Sequence, residues 1–118
     1  MPHDILVCLC TCPDSRSAAT LAATLVEESL AACVNQLPGA VSVYRWEGAV
    51  HSESEVLLVI KTTTGRFAAM RERLLTLHPY DVPELLALPV TDGHPPYLDW
   101  VRAGVAADGG GAGSTPAS

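Results

Sequence analysis

Three thiols fall at alternate positions in "LVCLCTCPD", where Cys8, Cys10 and Cys12 are each two residues apart. Such a set serves as a soft-metal site, as a redox pair or as ordinary packing. A thiolate and an imidazole suit copper or zinc, whereas magnesium and calcium take oxygen ligands. The imidazole best placed to join them is His78, which ends the apolar-periodic segment "GRFAAMRERLLTLH" just before Pro79 and Tyr80. In an extended segment, residues two apart share a face but hold their Cα atoms about 6.6–6.8 Å apart, at the edge of disulfide geometry. The fourth cysteine is Cys33. In a reducing cytosol all four are expected to stay thiols.

Other chemistries fit the residues less well. A copper chaperone of small α+β type carries C-x-x-C in a loop, and the spacing here is C-x-C, partly inside a strand. A phosphate loop needs a run of backbone donors; "TCPDSR" offers Arg16 but no glycine, and Pro13 removes a donor. A thiol hydrolase would use Cys10 or Cys12 with His78 as base, yet no third group or oxyanion site is legible. The expectation is therefore a protein without enzymatic activity. His3, His51 and His94 sit in polar or loop contexts and read as surface residues. Tyr44, Trp46, Tyr80, Tyr97 and Trp100 form a small aromatic set suited to a ligand cleft or a subunit interface.

The elements that must position these groups follow from pattern. Ile5 to Cys12 is a continuous apolar run closed by Pro13-Asp14, a strand buried on both faces. Asp14 is a good N-cap for a helix over "SRSAATLAATLVEESLAA", whose Ala18, Leu21, Ala22, Leu25 and Val26 recur at helical spacing. "ACVNQL" and "AVSVYRW" are extended, joined through Pro38-Gly39 by a turn or by a bend within one strand. Glu47-Gly48 reverses the chain into "AVHSESEVLLVIKTTT". A second helix with a stripe of Phe67, Met70, Leu74 and Leu77 stops at Pro79. "PELLALPV" is a fourth strand, and "PPYLDWVRAGV" a short closing helix with proline in its first turn.

The order β-α-β-β-α-β-α with two similar halves is the ferredoxin-like split βαβ pattern, an α+β sandwich. It predicts a four-stranded antiparallel sheet with both main helices on one face. Residues 1–105 make one domain, and the Gly/Ala/Ser-rich tail 106–118 has nothing to pack and reads as disordered. In this topology the first strand and second helix run the same way, so Cys10 and Cys12 lie toward the edge where His78 ends its helix.

Composition narrows the class further. The 118 residues are 48% apolar and 17% charged, with a net charge of −6, which argues against a nucleic-acid binder. No apolar run approaches the roughly 20 residues of a membrane span. "MPHD" lacks the basic start of a signal peptide, so a cytoplasmic protein is expected. "ILVCLC", "VLLVI" and "LLALPV" are apolar at both parities, although an antiparallel sheet open to water alternates. Another copy of the chain is the simplest cover, which predicts an obligate oligomer. The same burial favours packing as the role of Cys8, where cysteine behaves as a small hydrophobe.

"TCPD", "LAACVN", "PGAVSVYRWEG", "EVLLVIKT", "HPYDVPELLALPV" and "YLDW" occur in the order and spacing of the CutA family of divalent-cation tolerance proteins. The resemblance spans about Ile5 to Val105. It implies a compact homotrimer, similar in architecture to the PII signalling trimers, whose long hairpin, here Ala32–Thr63, reaches a neighbouring subunit. It also implies tolerance of copper and similar cations, with weak metal binding at Cys10 and His78 and no organic cofactor. Leu77 stands where some members carry a second histidine. The alternative is a PII-like role, binding a small ligand or a partner between subunits.

Overall fold

The computed structural model describes residues 3–106; the expected disordered tail, apart from Ala106, lies outside the described residues. The elements are β1 (Ile5–Cys12), α1 (Ser15–Glu27), β2 (Cys33–Trp46), β3 (Ala49–Thr63), α2 (Thr64–Leu77), β4 (Leu86–Pro89) and α3 (Pro95–Gly104). The sheet order is β2-β3-β1-β4, and every pairing is antiparallel. This is the split βαβ arrangement the element order predicts.

β1 lies between β3 and β4, and its two parities meet different surroundings. Leu6, Cys8, Cys10 and Cys12 oppose Thr62, Ile60, Leu58 and Val56. Together they pack against Leu21 and Leu25 of α1 and Met70 and Leu74 of α2 in one buried core. Cys8, Cys10 and Cys12 are wholly buried there. The other parity sets Val7 and Leu9 of β1 beside Leu57 and Val59 of β3 and Leu86 and Leu88 of β4. Leu86 and Leu88 remain 55% and 49% exposed, so this second face is apolar and largely uncovered in the single chain. Only α3 reaches one end of it: Ile5, Val101 and Val105 are buried apart from the main core.

Three local details refine the sequence reading. Pro38-Gly39 is a bend within one strand: the β2–β3 register shifts between Leu37 and Ala40, and Gly39 takes φ +89°. Glu47 and Gly48, with φ of +50° and +81°, form the tight reversal between β2 and β3. α1 stops five residues before the expected end. Asp14 Oδ1 caps its start by accepting from Ser17 N–H at 2.8 Å. At its other end Ser29 takes φ +57°, Leu30 N–H donates to Leu25 O at 2.9 Å, and Ser29 N–H donates to Val26 O at 3.0 Å. That pair of bonds is a Schellman motif, and it drops Leu30 into the core beside Leu25. β4 is also shorter than expected, because Pro83, Glu84 and Leu85 precede its pairing with β1.

α3 is tied to the start of β1 by charge. Arg102 Nε and Nη2 both bond the Asp4 carboxylate at 2.8–3.1 Å, while Nη1 reaches Asp99 at 2.9 Å. The guanidinium holds the Asp4 carboxyl below its usual value of 3.8. A lowered carboxyl pKa stabilises the fold above the unfolded value, and that contribution is lost as pH falls through the folded one. Asp4→Asn should therefore cost up to about 1 kcal/mol at neutral pH, allowing for partial solvent screening. Urea melts of both proteins should converge as pH falls below the ordinary carboxyl value of 3.8 and on through the lowered folded one. Ser29→Gly removes a side chain from the left-handed region at a position built for glycine, and should raise stability by about 0.5–1 kcal/mol. A lower melting temperature for that variant would show that the serine side chain contributes to the helix end.

Candidate functional site

α2 ends at His78 because Pro79 follows it; His78 sits at ψ 137°, outside helical values, while its N–H still donates to Leu74 O at 2.9 Å. The imidazole turns toward the end of β1 and is itself buried. Cys10 Sγ, Cys12 Sγ and a His78 nitrogen all lie within 4.8 Å of one another. The topological expectation that these groups share an edge holds. Cys12 joins the pair of Cys10 and His78, and its sulfur lies 3.9 Å from His78 Nε2. Cys12 was legible, since it shares a strand face with Cys10 and is one step closer to the strand end.

The ring of His78 is held by two main-chain groups. Tyr80 N–H donates to Nδ1 at 3.1 Å, and Nε2 lies 2.8 Å from Thr11 O. A backbone N–H can only donate and a carbonyl can only accept, so the neutral ring carries its proton on Nε2. The two thiols differ as well. Cys10 is pushed far above the ordinary thiol range, first by its hydrogen bond to Cys12 and then by burial. Cys12 is held lower because that same bond favours its thiolate. Cys8, one step deeper, is raised to about 11 by burial and faces no imidazole. Two sulfurs and one nitrogen are the donor types that copper or zinc prefers, so the residues fit such an ion in kind and in spacing. Binding would require the thiol protons and the Nε2 proton to leave.

A cleft of about 720 Å³ opens beside this cluster. It lies on the sheet face away from α1 and α2, where Thr11, Glu53 and Glu55 share a parity with Leu57 and Val59. Tyr44, Trp46 and Tyr80 line it, as the sequence reading anticipates for a cleft. Tyr97 and Trp100 do not; they stack on each other along α3, with ring centroids 5.6 Å apart. Tyr80 joins the cleft to the thiol cluster. Its hydroxyl donates to Glu55 Oε2 at 2.7 Å and its ring centroid is 4.9 Å from that of His78. Burial, then the bond to Glu55, raises the Tyr80 phenol well above its ordinary range.

Several contacts here carry no cue in the residue pattern. Glu55 is buried, a placement its polar neighbours in "HSESE" disguise. His51, expected at the surface, is half-buried and stacks on Tyr44 at 5.5 Å.

This sequence and fold have counterparts among known proteins. Residues 6–104 match the model of the CutA1 divalent ion tolerance protein family. The divalent-cation tolerance protein CutA of Thermus thermophilus is 53% identical over 96 residues, covering 81% of this chain and 93% of that protein. The solved structure of the divalent cation tolerance protein Cut A1 from Thermus thermophilus superposes with a TM-score of 0.85 at 50% identity, covering 86% of this chain and 99% of that one. CutA from Xylella fastidiosa superposes with a TM-score of 0.86 at 46% identity, covering 87% and 99%. With nearly the whole described fold matched in both sequence and structure, the chain belongs to the CutA1 divalent ion tolerance protein family.

Proposed function

We propose that this chain acts in tolerance of divalent and related metal cations by binding copper weakly, as a cytoplasmic homotrimer and without catalysis, at Cys10, Cys12 and His78. The observation that carries this reading is the convergence of two sulfurs and one imidazole nitrogen within 4.8 Å. Its weakness follows from the same geometry. The sulfurs are buried, Cys10 resists losing its proton, and His78 gives up a bond to Thr11 O when Nε2 takes a metal. The free state of all four cysteines supports a reducing compartment. Among the described residues no helix is long and apolar enough to cross a membrane. The relatives' shared name, divalent-cation tolerance protein, supports the process.

Assembly is supported by the uncovered face of the sheet. Leu37, Leu86 and Leu88 are 45–55% exposed there, and Val41, Val43, Trp46 and Val50 of the β2–β3 hairpin are more than half exposed. Apolar surface of this extent marks an interface rather than a solvated sheet.

Titrating Cu(I) into the wild-type protein should load up to one ion per chain. Cys10→Ser and Cys12→Ser should each weaken binding by about tenfold or more, equivalent to about 1.4 kcal/mol. His78→Gln should do the same, with sedimentation confirming that each variant keeps its assembly. Affinity should fall as pH falls, because each ligand binds only after losing its proton. Equal affinity in all four proteins would return the cysteines to packing. Separately, sedimentation at micromolar concentration should show trimers and no folded monomer. Val59→Asp, on the uncovered face, should dissociate them; a stable wild-type monomer would sink the assembly.

A further inference from the structure

Cys10 and Cys12 are set apart from the other two cysteines by contact. Their thiols hydrogen-bond to each other, and both sulfurs stand within 4.8 Å of a His78 nitrogen and of one another. Cys33 lies on β2, opposite Lys61 and away from this cluster. Cys8 has the same sequence spacing from Cys10, yet it is clamped on both sides, by Ile60 of β3 and Ala87 of β4.

The clamp does not extend to the strand end. Pairing with β4 stops at Leu9, so Cys10 and Cys12 are held by β3 alone, opposite Leu58 and Val56. β1 ends at Cys12, and Pro13 has no N–H with which to continue the ladder. A disulfide needs its sulfurs about 2.05 Å apart, and same-face neighbours on a strand start at the upper edge of its Cα range. Closing that bond requires one cysteine to draw toward the other, and Cys12, at the free end, is the one that can. The product is strained, which makes it easy to reduce again.

The donor set favours electron transfer to copper. Cu(II) takes tetragonal nitrogen and oxygen donors, whereas thiolate sulfur selects Cu(I). Two sulfurs and one nitrogen meet here, and no carboxylate joins the group. A Cu(II) ion is mismatched to these donors until it gains an electron, and the thiols that it touches are the electron source at hand.

We propose that Cys10 and Cys12 reduce Cu(II) at this cluster and are themselves oxidised to a disulfide. Two Cu(II) ions, arriving in succession, each take one electron and leave as Cu(I). Two S–H bonds break, one S–S bond forms, and two protons pass to water. The step is stoichiometric and it shuts the site, because with both sulfurs joined only His78 remains as a donor. It rests on the reading that copper reaches the cluster, and adds redox chemistry to it.

The test mixes the fully reduced, assembled protein with copper(II) sulfate without oxygen. Wild type should yield two Cu(I) per chain, trapped by bicinchoninate, and its mass should fall by two hydrogens. Alkylation after unfolding, then peptide mapping, should find Cys8 and Cys33 free and the Cys10–Cys12 peptide blocked. Dithiothreitol should restore the mass and, once removed, Cu(I) loading. Cys12→Ser should slow Cu(I) production about tenfold or more, having lost the partner thiol, and Cys33→Ser should not slow it. The wild-type peptide map decides the matter even if Cys12→Ser fails to fold. A link through Cys8 or Cys33, or a Cys12→Ser variant as fast as wild type, would overturn the proposal. Cu(I) loading with Cu(II) leaving all four thiols free would overturn this step and spare the binding reading. Absence of Cu(I) loading would remove the binding reading and this step with it.

Discussion

His78 is the joint on which the rest of this end of the molecule depends. Its ring accepts from Tyr80 N–H and bonds Thr11 O, so one side chain fastens the end of α2 to the end of β1. The bond to Tyr80 also fixes the turn after Pro79, which aims the Tyr80 hydroxyl at Glu55. Remove the ring and three things loosen together: the helix end, the third donor near the thiols, and the wall of the cleft. Both ring nitrogens already have good partners, which makes His78 a structural histidine first. Any metal it takes competes with main-chain hydrogen bonds, each of modest net value but costly to leave unmade when buried.

The strand that receives this joint serves two faces at once. Even positions of β1 send Cys8, Cys10 and Cys12 toward the helices, and odd positions send Val7, Leu9 and Thr11 the other way. Thr11 and Cys12 are neighbours in sequence, yet one lines the cleft and the other meets the imidazole. Period-two geometry alone puts a soft-donor cluster and an acidic cleft back to back. Tyr80 and His78, in ring contact, join the two around the end of the strand.

Much of this was legible in the residues, and the reasons for what was missed are physical. Apolar runs at both parities announced a sheet wanting two covers, and the uncovered leucines of β4 agree with that. Parallel directions for β1 and α2 brought Cys10 and His78 to one edge, because the topology permits little else. The α1 boundary was misjudged because "EESLAA" has good helix formers; the stop comes from Ser29 entering the left-handed region so that Leu30 reaches the core. Propensity yielded to packing there. The aromatic set divided for a related reason. Tyr44, Trp46 and Tyr80 come from segments that meet across the sheet, whereas Tyr97 and Trp100 are three apart on one short helix and find each other first.

Glu55 shows how a pattern can hide a site. "HSESE" reads as a solvated strand end, and Glu53 in the same run is indeed exposed. Two residues on, the strand enters the body of the sheet, and Glu55 keeps the same facing while Tyr80 closes over it. A carboxylate in that position is retained against a desolvation cost that a valine or threonine would avoid. The phenol of Tyr80 offsets part of the cost at one oxygen only. What the buried carboxylate supplies in return is position: its bond to the Tyr80 hydroxyl ties the middle of β3 to the turn that follows α2, and so holds Tyr80 against the His78 ring.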